Sequence, residues 1–409
     1  MKKRSLIILA LLSGGAGIIN FLYQATVASR LDPSSFSLFA ALLSLVAAIG
    51  SGAAGFQVVT ARVVSTHIDW SPKRQFLDHT ARQALKFSVV VMLAGLVLSP
   101  LIANALRVNV GLVAVLGLFF PIAILYSLSL GRIQGSGALV TLGAVGLALS
   151  LLKLGSALSM LLIGGGVAAL IVALLLTNLL MALVTGGLAA RTGSSQAAIL
   201  SRQTWILVIA QVSFWTLVSM DVLVARVILP DYAAGEFSAA ATLAKMVLFL
   251  PGVLTTALIP WAGQLLRLEE SRVRLAVLSL GLTLGLASLV ALSLWLAGPL
   301  LVRYLFGLAY DPSIPIIAPL AWAYLPLALS SVLLQFHFTS HRHLYGVTTA
   351  GVLVAATTAI LIFARDAMSI VAIVAGAGLV LLILLTWETM VYRKKSKHES
   401  TVIPPNSST

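Results

Sequence analysis

The sequence contains no cysteine and very little charge. Only 9% of its 409 residues are charged and 60% are hydrophobic, whereas an ordinary globular chain is about 25% charged. The lack of cysteine excludes thiolate nucleophiles, disulfides and cysteine-based zinc sites. The lack of charge excludes a soluble protein of this length, because its surface would need many more ionised groups.

Long apolar runs recur along almost the whole chain. Each has about 18 or more nearly uncharged residues, enough to cross a hydrocarbon core of about 30 Å. The pattern predicts an all-α polytopic membrane protein of twelve transmembrane helices, at 5–27, 36–60, 86–104, 108–130, 138–163, 167–189, 203–226, 234–262, 275–297, 313–337, 346–363 and 369–391.

The basic residues indicate the orientation of these helices. The net charge is +14, but the lysines and arginines lie in short segments between apolar runs, which is not the pattern of a nucleic-acid surface. Nineteen of them fall on the side of the two termini and five on the opposite side. The positive-inside rule therefore predicts a multi-pass protein of the cytoplasmic membrane with both termini in the cytoplasm.

The polar connections divide the chain into two halves. We predict a six-helix bundle over residues 1–190, a cytoplasmic linker over 191–202 and a second six-helix bundle over 203–392. The stretch 61–82 is predicted to lie at the membrane interface, and 393–409 to be a disordered cytoplasmic tail. None of these polar segments is long enough to form a separate domain.

A weak internal repeat supports two related halves. The segment 33–41 recurs about 198 residues later as 230–239, with one residue inserted. Pro33 and Pro230 begin the two copies, and Arg30 and Arg226 precede them. Both copies fall on the outer link between the first two helices of a half, as in transporters built from duplicated bundles.

Several short motifs point to a known family. Residues 219–230 contain Asp221 and Arg226 and are followed by 234–240, Lys245 and Pro251; Phe306, Gly307 and Tyr310 precede the tenth helix, and Gln134-Gly135 follows the fourth. In this order they resemble the polysaccharide transporter family, which includes the O-antigen and teichoic-acid flippases of the multidrug/oligosaccharidyl-lipid/polysaccharide exporter superfamily. Ser37 stands where that family commonly has glycine. The resemblance implies two six-helix bundles in a V shape that export a lipid-linked saccharide by alternating access.

Two lysines are predicted to lie deep in the membrane, one in each half. Helical rise places Lys153 roughly 22 Å and Lys245 roughly 16 Å along their helices. A buried ammonium group is costly and needs a reason. Binding the diphosphate of a lipid-linked sugar is one reason; a structural partner is another, and snorkelling to the interface is a third, although the side chain reaches only about 6 Å.

The other intramembrane polar residues have two interpretations each. Asp221 either pairs with Lys245 or couples transport to an ion or proton. Arg30 and Arg226, at the outer mouth, either contact an anionic headgroup or anchor their helices at the interface. Gln24, Gln57 and Gln211 suit sugar hydroxyls as well as bonds between helices. The glycine pairs Gly131/Gly135 and Gly281/Gly285 predict close helix packing.

No metal or cofactor site is predicted. His337, His341 and His343 lack a neighbouring carboxylate and are predicted to lie in a solvated loop. The sequence has no phosphate-binding P-loop, no His-Glu-x-x-His and no Gly-x-Ser-x-Gly motif, and therefore gives no grounds for an ATPase, zinc protease or serine hydrolase. We do not expect an enzyme.

Three functions remain open at this stage. The first is a flippase or exporter of a lipid-linked oligosaccharide or polysaccharide precursor, whose partners would be a polyprenyl diphosphate saccharide, membrane lipid and glycan-assembly proteins. The second is a multidrug antiporter, which would favour an acidic cavity, whereas both deep charges here are positive. The third is a membrane-embedded glycan polymerase or ligase, disfavoured because no outer loop is longer than about 15 residues.

Overall fold

The computed structural model describes residues 3–65, 73–191, 202–248, 269–339 and 344–402. All regular structure in these ranges is helical: thirteen α-helices and one 3-10 helix, Leu308–Ser313. The first seven α-helices are α1 Lys3–Arg30, α2 Pro33–Ser65, α3 Lys73–Leu106, α4 Val110–Gly117, α5 Phe119–Gly135, α6 Leu139–Leu162 and α7 Val167–Arg191. The other six are α8 Arg202–Ile228, α9 Asp231–Ala244, α10 Glu269–Leu305, α11 Ile314–Thr339, α12 Leu344–Phe363 and α13 Ala367–Val402.

Eleven of the twelve predicted spans are helical stretches long and apolar enough to cross a membrane, counted over the described ranges. The predicted eighth span, 234–262, is described only as far as residue 248. There α9 ends at Ala244, and the Lys245 N–H donates to the carbonyl of Ala241. The rest of that span, including Pro251, lies outside the described residues.

Two predicted polar segments are more helical than expected. α2 continues to Ser65 and α3 begins at Lys73, so most of 61–82 extends the neighbouring helices; Trp70 lies outside the described residues. α13 continues to Val402, ten residues into the predicted disordered tail. Residues 392–402 contain neither proline nor glycine, and their lysines, arginine and glutamate have good helix propensity.

The predicted fourth helix is broken into two pieces. α4 ends at Gly117 and α5 begins at Phe119. The reason is Pro121, which has no N–H to donate to the carbonyl of Gly117. The start of α4 is fixed by Asn109, whose side chain accepts a bond of 2.7 Å from the Gly111 N–H. At the start of α2, bonds from Ser35 to the Asp32 carboxylate lower the pKa of Asp32.

The helices form two groups that meet along α2. In the N-terminal half, α1 packs on α6, α6 on α7, α7 on α5 and α5 on α2. In the C-terminal half, α8 packs on α12, α12 on α13, α13 on α11, and α11 on α9 and α10. The main contact between the halves is α2 against α8 and α9. We call the Arg30 end of the bundle its outer end, following the predicted orientation.

The two predicted glycine pairs behave differently. Gly131 and Gly135 of α5 face α2, and a Cβ at Gly131 would lie 2.6 Å from the Thr60 Cβ. Their predicted role in close packing is confirmed. Around Gly281 and Gly285 of α10, nothing described lies within 4 Å of such a Cβ, so that prediction was wrong. Spacing alone does not show whether a glycine faces a neighbouring helix or lipid.

This difference predicts stability changes of opposite sign. Gly131→Ala should lower the unfolding free energy by about 1–3 kcal/mol, because the methyl group overlaps α2. Gly281→Ala should raise it by up to about 1 kcal/mol, because alanine is the better helix former. Thermal unfolding of the two purified variants checks both signs, and equal shifts would contradict this account of the α2–α5 contact.

The orientation can be tested at a turn that tolerates insertion. The glycines at 164–166 join α6 to α7, and Gly164 has a φ of +75° with open space around it. A reporter inserted there should behave as external, and one fused after Arg393 as cytoplasmic. The control is a reporter in the predicted cytoplasmic linker 191–202. A cytoplasmic reporter at 164–166 together with an external one after Arg393 would show that all the spans have the opposite orientation.

Candidate functional site

A buried carboxylate lies in the interior of the C-terminal half. Asp221 of α8 is fully buried, and its Oδ1 is 2.9 Å from Nζ of Lys245, at the end of α9. Its other oxygen accepts a hydrogen bond from the hydroxyl of Tyr324 on α11. The Lys245 ammonium also lies 5.8 Å from the centre of the Tyr324 ring. Three helices therefore meet around one compensated charge pair.

This arrangement limits what Asp221 can do. A carboxylate already bonded to an ammonium and a phenol cannot serve as a free counter-ion for a cationic substrate. Its role as a structural pair or a coupling group stays a prediction, but the contact with Lys245 is present. Tyr324 was not among the predicted site residues; a lone tyrosine hydroxyl in an apolar span, which needs a partner, was the available signal.

Lys153 lies in the interior of the N-terminal half without such a partner. It is half-buried on α6, and no described hydrogen bond or ion pair holds its ammonium group. The polar residues one turn to either side are engaged: Ser150 accepts from Asn20 of α1 at 3.0 Å, and Ser156 accepts from Thr177 of α7 at 3.2 Å. By helical spacing, Lys153 points between α1 and α7.

The hydroxyl of Tyr23, a buried residue of α1, also lacks a described partner. Tyr23 is 3% exposed and its hydroxyl makes no hydrogen bond among the described residues, although its ring packs edge-on against Phe39 of α2. It lies one turn beyond Asn20, which bonds to α6. Buried hydroxyls are normally bonded, so Tyr23 and Lys153 leave a donor-rich interior in the N-terminal half.

The three glutamines have different environments. Gln24 of α1 accepts from Thr242 of α9 at 3.5 Å, one turn before Lys245, and so lies between the halves. Gln57 of α2 donates to Gln134 of α5 at 3.0 Å, a bond inside the N-terminal half. Gln211 is half-buried on α8, with no described side-chain hydrogen bond. The geometry brings only Gln24 near the Lys245 site.

The two predicted outer arginines are also placed differently. Arg30 is exposed at the end of α1. Arg226 is 4% exposed and lies between the halves, where its Nη1 bonds to Ser37 at 2.7 Å. Burial argues against interfacial anchoring of Arg226. Its role in substrate binding stays a prediction, as does that of Arg30.

His337 was predicted to lie in a solvated loop, and this prediction was wrong. It is 3% exposed at the end of α11, and its ring stacks on Tyr345 at 5.8 Å between centroids. Its Nε2 lies 3.3 Å from the Thr389 hydroxyl. The helix continues past His337 to Thr339, and Tyr345 of α12 and Thr389 of α13 contact the ring. His341 and His343 lie outside the described residues, and no group of three metal-ligating side chains occurs among those described.

Solved structures of transporters match this chain over almost its full length. No family model matches the sequence, and no curated protein does. A multidrug resistance MATE family transporter of the MOP superfamily, in an inward-facing conformation, matches with a TM-score of 0.69 at 14% identity, over 97% of this chain and 99% of the other. The lipid II flippase MurJ, inward closed, matches with a TM-score of 0.70 at 10% identity, over 94% and 87%. The chain has the fold of MOP-superfamily transporters.

A third match extends the comparison. A MOP superfamily transporter from Pyrococcus furiosus, described as having a binding pocket of reverse polarity that suggests a different function, matches with a TM-score of 0.60 at 15% identity, over 95% of each chain. At these identities the likeness establishes the fold alone. The predicted fold class, an all-α polytopic membrane protein with its helices in two bundles, is confirmed.

Proposed function

We propose that this protein moves a lipid-linked oligosaccharide or polysaccharide precursor, carried on a polyprenyl diphosphate, across the cytoplasmic membrane by alternating access. The observation that carries the proposal is Lys153, a cation inside the N-terminal half with no described counter-ion. A diphosphate supplies the negative charge that such a site lacks, and a dry interior strengthens that attraction.

The C-terminal half contributes a second, more restrained cation. Lys245 keeps 16% of its side chain exposed while bound to Asp221. It follows Thr242, which contacts Gln24 of the N-terminal half. A diphosphate between the halves would lie near Lys245, and the amide of Gln24 suits a sugar or phosphate oxygen. The Tyr23 hydroxyl is a further donor.

The charge distribution favours this substrate over a cationic drug. The buried carboxylates among the described residues are those of Asp221, which Lys245 and Tyr324 already engage, and of Glu388, which accepts a hydrogen bond from the Thr348 hydroxyl. Similar folds include a flippase of lipid II and multidrug transporters. The Pyrococcus transporter, with its pocket of reverse polarity, shows that pocket charge differs between proteins of this fold. Polarity therefore bears on the substrate, and a lysine with no described counter-ion in the N-terminal half favours an anionic one.

The proposal is tested with two substrates in one preparation. Purified protein is reconstituted into proteoliposomes, and translocation of a fluorescent polyprenyl diphosphate saccharide is compared with movement of a cationic dye. We expect saccharide translocation above protein-free vesicles and no dye movement. Dye movement without saccharide translocation would reject the proposal in favour of a multidrug antiporter. Elongation or transfer of the sugar chain would indicate a polymerase or ligase.

A further inference from the structure

A cluster of three charges joins the outer ends of the two halves. Asp231, the first residue of α9, forms an ion pair with Arg107, which lies in the turn between α3 and α4. The distance from Oδ1 of Asp231 to Nη1 of Arg107 is 2.6 Å. The same oxygen forms a second ion pair with Arg226 at the end of α8, 3.0 Å from its Nη1. Arg107 belongs to the N-terminal half, whereas Arg226 and Asp231 belong to the C-terminal half. The carboxylate is therefore shared across the boundary.

Main-chain bonds reinforce these ion pairs in both directions. Nη2 of Arg107 donates to the carbonyls of Arg226, Val227 and Leu229 at 3.0–3.4 Å, at the C-terminal end of α8. In return, Nε of Arg226 donates to the Leu106 carbonyl at 3.3 Å, at the end of α3. Each guanidinium thus binds the last carbonyls of a helix in the opposite half, where the helix dipole favours a cation.

The backbone at this end is shaped for the same contact. Arg107 has a φ of +55°, the one positive value at a non-glycine among the described residues. An arginine rarely adopts this conformation, and its surroundings must hold it there. Nearby, the first turn of α9 lies against the first turn of α2 so closely that a Cβ at Gly235 would be 1.9 Å from the Pro33 carbonyl oxygen. The two copies of the internal repeat meet here.

We infer that Arg107, Arg226 and Asp231 form an ionic lock that holds the outer ends of the halves together and has to break before the interior opens outward. The lock is reversible because it is partly hydrated: the side chains of Arg107 and Asp231 are 46% and 37% exposed. Water replaces their bonds when the halves separate. In the other ion pair Asp221 is fully buried and Lys245 is only 16% exposed, and both residues belong to one half. The inference concerns how the halves separate and does not depend on the proposed substrate.

The lock can be measured without any substrate, because the chain has no cysteine of its own. Cysteines replace Val110 and Phe363, which are 45% and 69% exposed at the outer ends of opposite halves, and carry spin labels. Pulsed electron resonance then gives the distance between the halves in purified protein. Arg107→Gln and Asp231→Asn should each raise the ratio of long to short distances about tenfold, as expected for losing a charge-assisted bond.

Two variants make the result specific. Arg303→Gln breaks an exposed ion pair with Asp311 at the same end, but inside the C-terminal half, and should leave the distances unchanged. The double variant Arg107→Gln with Asp231→Asn should shift the distances by less than the two single variants combined, because both changes remove the same ion pair. Unchanged distances in both single variants, or the same increase in Arg303→Gln, would overturn the lock. The elution volume and helicity of each variant are compared with those of the parent to detect misfolding. If Arg107→Gln misfolds, Arg107→Lys replaces it. Lysine keeps the charge but loses the forked geometry of arginine, and should open the halves less than the loss of the charge would.

Discussion

Asp221→Ala is expected to destabilise the folded protein more than any other single change considered for this chain, by about 3–5 kcal/mol. The variant leaves the Lys245 ammonium facing the interior without its carboxylate and removes the acceptor of the Tyr324 hydroxyl. The double variant Asp221→Ala with Lys245→Ala removes both charges and should be more stable than Asp221→Ala alone. Denaturant or thermal unfolding in detergent measures the difference.

The matched control is Tyr324→Phe, which removes one hydrogen bond and keeps the ion pair. It should cost only about 1–2 kcal/mol, because Asp221 retains Lys245. If the single and double variants are equally stable, Asp221 and Lys245 are not an energetic pair. If the double variant is stable but transports nothing, the pair also serves the transport cycle.

The second large effect is expected on transport, when Lys153 is replaced. Lys153→Gln keeps length and hydrogen bonding but removes the charge, and should lower translocation of the polyprenyl diphosphate saccharide at least tenfold. Lys153→Arg keeps the charge with a different donor geometry and should recover part of the activity. Both variants should be inserted at parental levels, since no described partner is lost.

The control for this series is Lys86→Gln, which changes an exposed lysine of α3 at the predicted cytoplasmic end of the span 86–104. It makes the same chemical change away from the interior and should leave translocation unchanged, which normalises the assay for surface charge. Parental activity in Lys153→Gln would exclude a cationic site in the N-terminal half. The neutral-substrate and drug-export alternatives would then return.

The sequence predicted the spans because membrane helices depend on length and hydropathy, which are local properties. Helix ends were missed where polar residues continue a helix into water, as at Lys73 and Val402. The break at Leu118 could have been expected from Pro121. Hydropathy does not show where a polar helix stops.

The candidate site was predicted only in part, since contacts between distant segments have no local signal. Asp221 and Lys245 were considered together because their helices are neighbours in the chain. Tyr324 lies 103 positions from Asp221 and Arg107 lies 124 from Asp231, and nothing near either residue indicates its partner. The buried position of Arg226 likewise depends on Ser37, 189 positions away.

The central claim, an anionic lipid-linked substrate held by an uncompensated lysine, is tested most directly by binding. Native mass spectrometry of the purified protein with equal amounts of a polyprenyl diphosphate saccharide, a polyprenyl monophosphate and a neutral polyprenol gives their relative occupancy. We predict the highest occupancy for the diphosphate, the lowest for the polyprenol, and loss of this order in Lys153→Gln but not in Lys86→Gln. Equal occupancy of all three lipids, or an order that Lys153→Gln leaves intact, would contradict the account.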